Sequence, residues 1–133
     1  MSSTLLSRPF LASTSLAACL TASPAAVAFG VTDAHGRSTY NAVHQWAADT
    51  GFVVIWQLLN KTGMVDFPAP QQEVDKDFGV AVQALVTGAA YGHANIYCIP
   101  PMEFQPEALI DYHTRLVYVI GHPTGRRCPR ARP

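Results

Sequence analysis

Charge is scarce in this chain. Only 14% of its 133 residues are Asp, Glu, Lys or Arg, and nine basic residues balance nine acidic ones. A dedicated nucleic-acid-binding domain of this size carries a basic excess, so that class is set aside. Three cysteines are too few for the framework of a disulfide-stapled mini-protein. No convincing membrane-spanning helix is present, because the best stretch, Leu11–Leu20, is short and rich in Ser and Thr where about 20 apolar residues are needed. A Gly-rich phosphate loop, HExxH, GxSxG and CxxC are all missing, and with them the commonest routes to phosphate, zinc-protease, serine-hydrolase and dithiol chemistry. What is there is apolar. A 49% hydrophobic content excludes a wholly disordered chain, and the length fits one domain.

The first 28 residues carry one charge, Arg8. After it come the apolar segment Leu11–Leu20, then Pro24, then Ala26-Val27-Ala28. That order is an export signal: a positive start, an apolar helix, a helix breaker and a small-x-small cleavage site. Cleavage is expected between Ala28 and Phe29, leaving roughly 105 residues, enough for one small core. The same segment holds a competing motif. Leu16-Ala17-Ala18-Cys19 resembles a lipobox, in which Cys19 would be lipidated and become the first residue.

Charge is unevenly placed in the remainder. Residues 29–125 hold four basic and nine acidic side chains, whereas Arg126, Arg127, Arg130 and Arg132 crowd the last eight positions. An acidic body with a basic, disordered tail over 126–133 is the expectation.

Within the body, Val31–Arg37 reads as a polar turn. Ser38 can cap a helix over Thr39–Asp49, which Gly51 ends. Phe52–Trp56 is a continuous β-branched and aromatic run and reads as a strand buried on both faces. Gln57–Gln72 is a connection with a short strand candidate at Met64–Phe67, closed by Pro68 and Pro70. Asp77 can cap a second helix. Its residues Phe78, Ala81, Val82, Leu85 and Val86 form the cleanest helical stripe in the chain, and Gly88 ends it. Ile96–Ile99 is a strand candidate stopped by Pro100-Pro101, and Glu103–Pro106 a loop. Ala108–Tyr112 and Leu116–Ile120, separated by His113-Thr114-Arg115, form a hairpin. Pro123 and Gly125 end the fold. The expected class is α+β: a small two-layer sandwich with two helices on one face of a mixed sheet. Trp46, Phe52, Val54, Phe78, Val82, Leu85, Val117 and Val119 are its expected core.

Little chemistry is visible. His35, His44, His93, His113 and His122 lack metal-ligand spacing. Cys98 and His93, five residues apart, make a poor nucleophile and base. Trp46 and Trp56 could form a sugar-stacking platform, but their places beside the helix–strand unit favour packing. No catalytic, cofactor or metal residue is assigned. Cys98 and Cys128 are candidates for a disulfide, since an exported chain meets an oxidising compartment. Closing a loop of roughly 30 residues contributes about 3–4 kcal/mol if unstrained.

From Gly36 to Gly121 the chain resembles the C-terminal domain of toxin co-regulated pilus biosynthesis protein Q, also found in pilus L-type proteins. The matching signature is Trp46-Ala47, Gly51-Phe52 and a Val-rich strand ending at Trp56, then Asp77-Phe78, Ala81-Val82 and Leu85. Tyr112, a short turn and the strand Leu116–Ile120 complete it. Two features depart from the family pattern: His113-Thr114 stands where Gly-Asn is usual, and Ala90–Pro106 is longer, as if a loop were added.

The resemblance implies a non-enzymatic periplasmic component of a type IVb pilus or of a conjugation or secretion apparatus. Its fold would be similar to secretin N-terminal domains. It would assist assembly of a secretin or outer-membrane channel, with a secretin or an outer-membrane lipoprotein as partner, no cofactor and no nucleic acid. Membrane association would follow only from lipidation of Cys19. The alternatives are a lipoprotein of a type IV secretion core complex and a periplasmic ligand-binding module. Because Leu116–Ile120 precedes Pro123, it is expected at a sheet edge. Leu116, Tyr118, Arg126 and Arg127 are therefore the candidate partner-binding residues.

Overall fold

The computed structural model describes residues 27–60, 62–99 and 102–128. Leu11–Leu20, Cys19, Pro100-Pro101, Arg130 and Arg132 lie outside the described residues. In chain order the elements are β1 (Phe29–Val31), α1 (Thr39–Thr50), β2 (Val53–Trp56), β3 (Leu59–Asn60), β4 (Gly63–Met64), β5 (Gln72–Asp75), α2 (Phe78–Thr87), β6 (Tyr97–Ile99), β7 (Met102–Asp111) and β8 (Leu116–Arg127). The class is α+β, with two α-helices among the described residues and a mixed, curled four-stranded sheet in the order β2-β8-β7-β6. The pairs β3–β4 and β1–β5 form two further, two-stranded sheets.

Both helices begin and end for local reasons. The Ser38 hydroxyl accepts the Asn41 N–H at 3.0 Å, and the Asp77 carboxylate accepts the Val80 N–H at 2.9 Å. Each thereby satisfies one of the amides that a first turn leaves without a partner. Gly51 ends α1 at φ 83°, and the Arg115 guanidinium donates to the carbonyl of Thr50, the last residue of α1. A cation at that end also complements the helix dipole. Gly88 ends α2 at φ 86°, and a Cβ there would collide with the His93 carbonyl. Asn95 then donates its side-chain amide to the Leu85 and Val86 carbonyls, closing the last turn.

The core lies between the helices and one face of the sheet. Val82, Leu85 and Val86 of α2, Val43 of α1, and Val117 and Val119 of β8 are fully buried. Trp46 and Phe78 are buried as expected, whereas Phe52 and Val54 are half-buried. The reason is the place of β2 at the sheet margin, where Val53 is 62% exposed. The expectation of a strand buried on both faces is therefore corrected: β2 is an edge strand covered on one face.

Three further corrections follow from long-range pairing. First, Leu116–Ile120 is not an edge. β8 is interior, with β2 parallel on one side and β7 antiparallel on the other. Second, the loop expected at Glu103–Pro106 belongs to β7, and β8 continues past Pro123 and Gly125 to Arg127. The Ala108 N–H points away from β8, to the Gln83 side chain, so by alternation Pro106 and Pro123 fall at non-hydrogen-bonded positions of the β7–β8 ladder and neither removes a bond between the two strands. Hence Arg126 and Arg127, expected in a disordered tail, end a strand, and the presumed added loop Ala90–Pro106 carries β6 and the start of β7. Third, the turn-like Val31–Arg37 begins with the end of β1, which pairs with β5. Within Met64–Phe67 only Met64 is strand, while Val65 and Phe67 are buried.

Candidate protein-docking site

Alternation along the strands sorts side chains onto two faces. Ala108, Val117 and Val119 point to the helices and are buried. The opposite parity is apolar as well, and no described helix covers it. Register places Ile55, Tyr118 and Leu109 in one row across β2, β8 and β7, and Val53, Leu116 and Asp111 in the next. Leu109 is 46% exposed, while Leu116, Tyr118 and Ile120 are half-buried. Toward the far end of the strands the same face turns polar, with Glu107 and His122 in side-chain contact. An apolar centre with a polar rim is the anatomy of a protein-binding surface.

Leu116 and Tyr118 thus sit together, on a face and not at an edge. Arg126 and Arg127 lie apart from them, at the exposed end of β8. Sequence reasoning missed Val53, Ile55 and Leu109 as members of this surface. The signal was available: β8 is apolar at both parities, yet two helices can cover only one face of a sheet.

The remaining candidates are structural. Cys98 and Cys128 are joined as a disulfide, with Cα atoms 5.3 Å apart. It ties β6 to the residue that follows β8. With that thiol in a disulfide, the Cys98–His93 pairing has no nucleophile. Trp46 donates its indole N–H to the Gly30 carbonyl at 3.0 Å, and Trp56 donates to the Val65 carbonyl at 2.8 Å. Both rings pack against the core cluster, which leaves no flat aromatic platform. Phe52 stacks on Phe78 at 4.7 Å and meets Tyr112 edge-on at 5.7 Å. This joins Phe78 and Tyr112 through Phe52, the residue after Gly51, into one packing unit at the turn end of the sheet.

The histidines are scattered. His35 is buried in a turn, where its Nδ1 accepts the Thr32 N–H. His44 Nδ1 lies 2.8 Å from the Tyr40 carbonyl on the preceding turn of α1. His93 and His113 are exposed. Among the described residues no group of three His, Cys, Asp or Glu side chains could hold a metal ion. Burial pushes the Tyr91 hydroxyl up to about 12. Burial, with a smaller contribution from the Asp66 charge, also raises Tyr97. Neither phenol is suited to proton transfer near neutral pH. Among the described residues no helix is long and apolar enough to cross a membrane.

No protein-family model, curated protein or solved structure matches this chain.

Proposed function

We propose that the chain is a non-enzymatic adaptor of the bacterial envelope. It acts in the periplasm, where it assists assembly of a secretin or related outer-membrane channel in a type IVb pilus or a conjugation or secretion apparatus. The observation that carries the adaptor reading is the apolar sheet face built on Val53, Ile55, Leu109, Leu116 and Tyr118, which no described helix covers. A soluble domain leaves such a patch uncovered at a cost in solubility unless a partner covers it. The Cys98–Cys128 disulfide is in keeping with an oxidising compartment. The pilus assignment rests on the resemblance carried by Trp46, Gly51, Trp56, Phe78 and Tyr112. A fold similar to secretin N-terminal domains belongs to the same proposal, supported by the two helices and mixed sheet.

Cross-linking in cells followed by purification of the tagged chain from the envelope tests this reading. A secretin or outer-membrane lipoprotein should be recovered with it, and Leu109→Lys should abolish that recovery. Recovery of a cytoplasmic chain with free thiols and no envelope partner would refute the proposal. The mass of the mature N-terminus decides the anchor: a free Phe29 for the plain signal peptide, or a diacylglyceryl Cys19 for the lipobox.

A further inference from the structure

A second feature lies on the other side of β7. The strand β6 pairs with β7 only from Met102 to Phe104, so no described strand pairs with the outer edge of β7 from Gln105 to Asp111. Main-chain groups of alternate residues point out from that edge. The Ala108 N–H does so, because it donates to the Gln83 side-chain carbonyl of α2 at 2.9 Å. By the two-residue repeat of an antiparallel ladder, the Ile110 N–H and carbonyl point the same way. Between this edge and α2 runs an open groove of about 520 Å³. Val80, Gln83 and Ala84 form one bank, and Ala108, Ile110 and Tyr112 the other. The Tyr112 hydroxyl rests over Gly79 at one end, where a Cβ would overlap it. Asp77 is the one charged residue along the lining.

From this geometry we infer that the α2–β7 groove receives an extended segment of a partner polypeptide, which adds to the sheet as a strand beside β7. The inference rests on the adaptor reading and adds to it the mode of binding and the chemistry of the bound segment. Three observations select a polypeptide strand. An open strand edge offers donors and acceptors at the spacing of another backbone. The group now on the Ala108 N–H is a carboxamide, which is the functional group of a peptide bond. Gln83 therefore holds the place that a partner carbonyl would take. The lining is aliphatic apart from Gln83, Thr87, Tyr112 and Asp77, so inward-facing residues of the segment are small and apolar. The lone carboxylate at one end calls for a basic residue there. At about 3.3 Å per residue, the stretch from Ala108 to Tyr112 accommodates roughly four residues of strand.

The test uses the oxidised, ¹⁵N-labelled protein. The probe is an acetylated and amidated nonapeptide, Lys-Val-Ser-Val-Ser-Val-Ser-Val-Ser. Its two controls are the same peptide N-methylated at alternate residues, and the peptide with Glu in place of Lys. The parent peptide should shift the amide resonances of Ala84, Ala108 and Ile110 and the side-chain amide of Gln83. N-methylation should abolish the shifts, and Glu should weaken them. Val80→Arg and Ala84→Arg, both at positions open to the groove, should abolish binding while the circular dichroism spectrum is retained. Gln83→Ala should tighten binding roughly threefold or more, because the occupant no longer displaces an internal hydrogen bond. The inference is overturned by shifts confined to Val53, Leu109 and Tyr118, by equal binding of the N-methylated peptide, or by no shift at millimolar peptide.

In cells the two readings separate. Partner recovery lost with Ala84→Arg supports the groove. Recovery kept with Ala84→Arg but lost with Leu109→Lys removes the groove and leaves the adaptor reading standing. No envelope partner with the unaltered chain removes both.

Discussion

The two faces of the four-stranded sheet are made from the same strands and from similar residues, yet they meet different fates. On one, Val117, Val119 and Ala108 disappear beneath α1 and α2. On the other, Ile55, Tyr118 and Leu109 form an equally apolar row that no described helix covers, with Leu109 46% exposed. Apolar composition therefore does not decide which face is buried; the supply of covering elements does. Two helices bury roughly one sheet face. No described helix covers the second face, and the groove between α2 and β7 borders the covered side.

The largest expected effect sharpens that contrast. Leu85 is fully buried under the covered face, so Leu85→Ala should cost about 2–5 kcal/mol in denaturant titration, from lost transfer energy and the residual cavity. A loss below ~1 kcal/mol would mean that α2 is not packed on the sheet as described. Next comes the arm where β7 and β8 run on toward Arg127. Reducing Cys98–Cys128, or Cys98→Ser, should cost about 2–4 kcal/mol, read as a lower denaturation midpoint with reductant than without. Asp77→Ala, which removes the cap of α2, should cost about 1 kcal/mol, measured the same way. The open face behaves in the opposite sense. Leu109→Lys should change stability by about 1 kcal/mol or less while removing envelope partners from the purified complex. A large loss of stability there would break the comparison, because the face would then belong to the core.

The smallest effect is a pH dependence at the hairpin turn. The backbone N–H of Thr114 holds the Asp111 carboxyl below its ordinary value, and the Thr114 side chain and the His113 N–H add to this. A lowered folded-state value means that the carboxylate stabilises the fold above the ordinary carboxylate range. That contribution is lost as pH falls through the lowered value. Asp111→Asn should flatten this acid limb slightly, as followed by thermal melts below about pH 4.

Much of the fold was legible because its signals are local. Ser38, Asp77, Gly51 and Gly88 mark the helix ends through side-chain caps and left-handed backbone, which depend on neighbours a few residues away. The stripe from Phe78 to Val86 announces a buried helix face for the same reason. The hairpin around His113–Arg115 is likewise short-range. The strands β1 and β5 were not legible. Each is short, β1 contains Gly30, β5 contains Gln72 and Glu73, and they pair only because the chain returns from a distance. Pro106 and Pro123 looked like strand ends because a proline lacks an N–H. In the folded ladder that missing group falls where no cross-strand bond is made.

The amino-acid sequence by itself determined the α+β class, the two helices with their caps and the hairpin. Each rests on periodicity or on residue types acting over one or two turns. Only the tertiary structure decided that β8 runs through the middle of the sheet, that no described strand pairs with the outer edge of β7 beside α2, and that Leu116 and Tyr118 lie on the face that no described helix covers. Strand order and covering are settled by which distant segments pack together. A strand that is apolar at both parities carries no local mark of which parity will be buried.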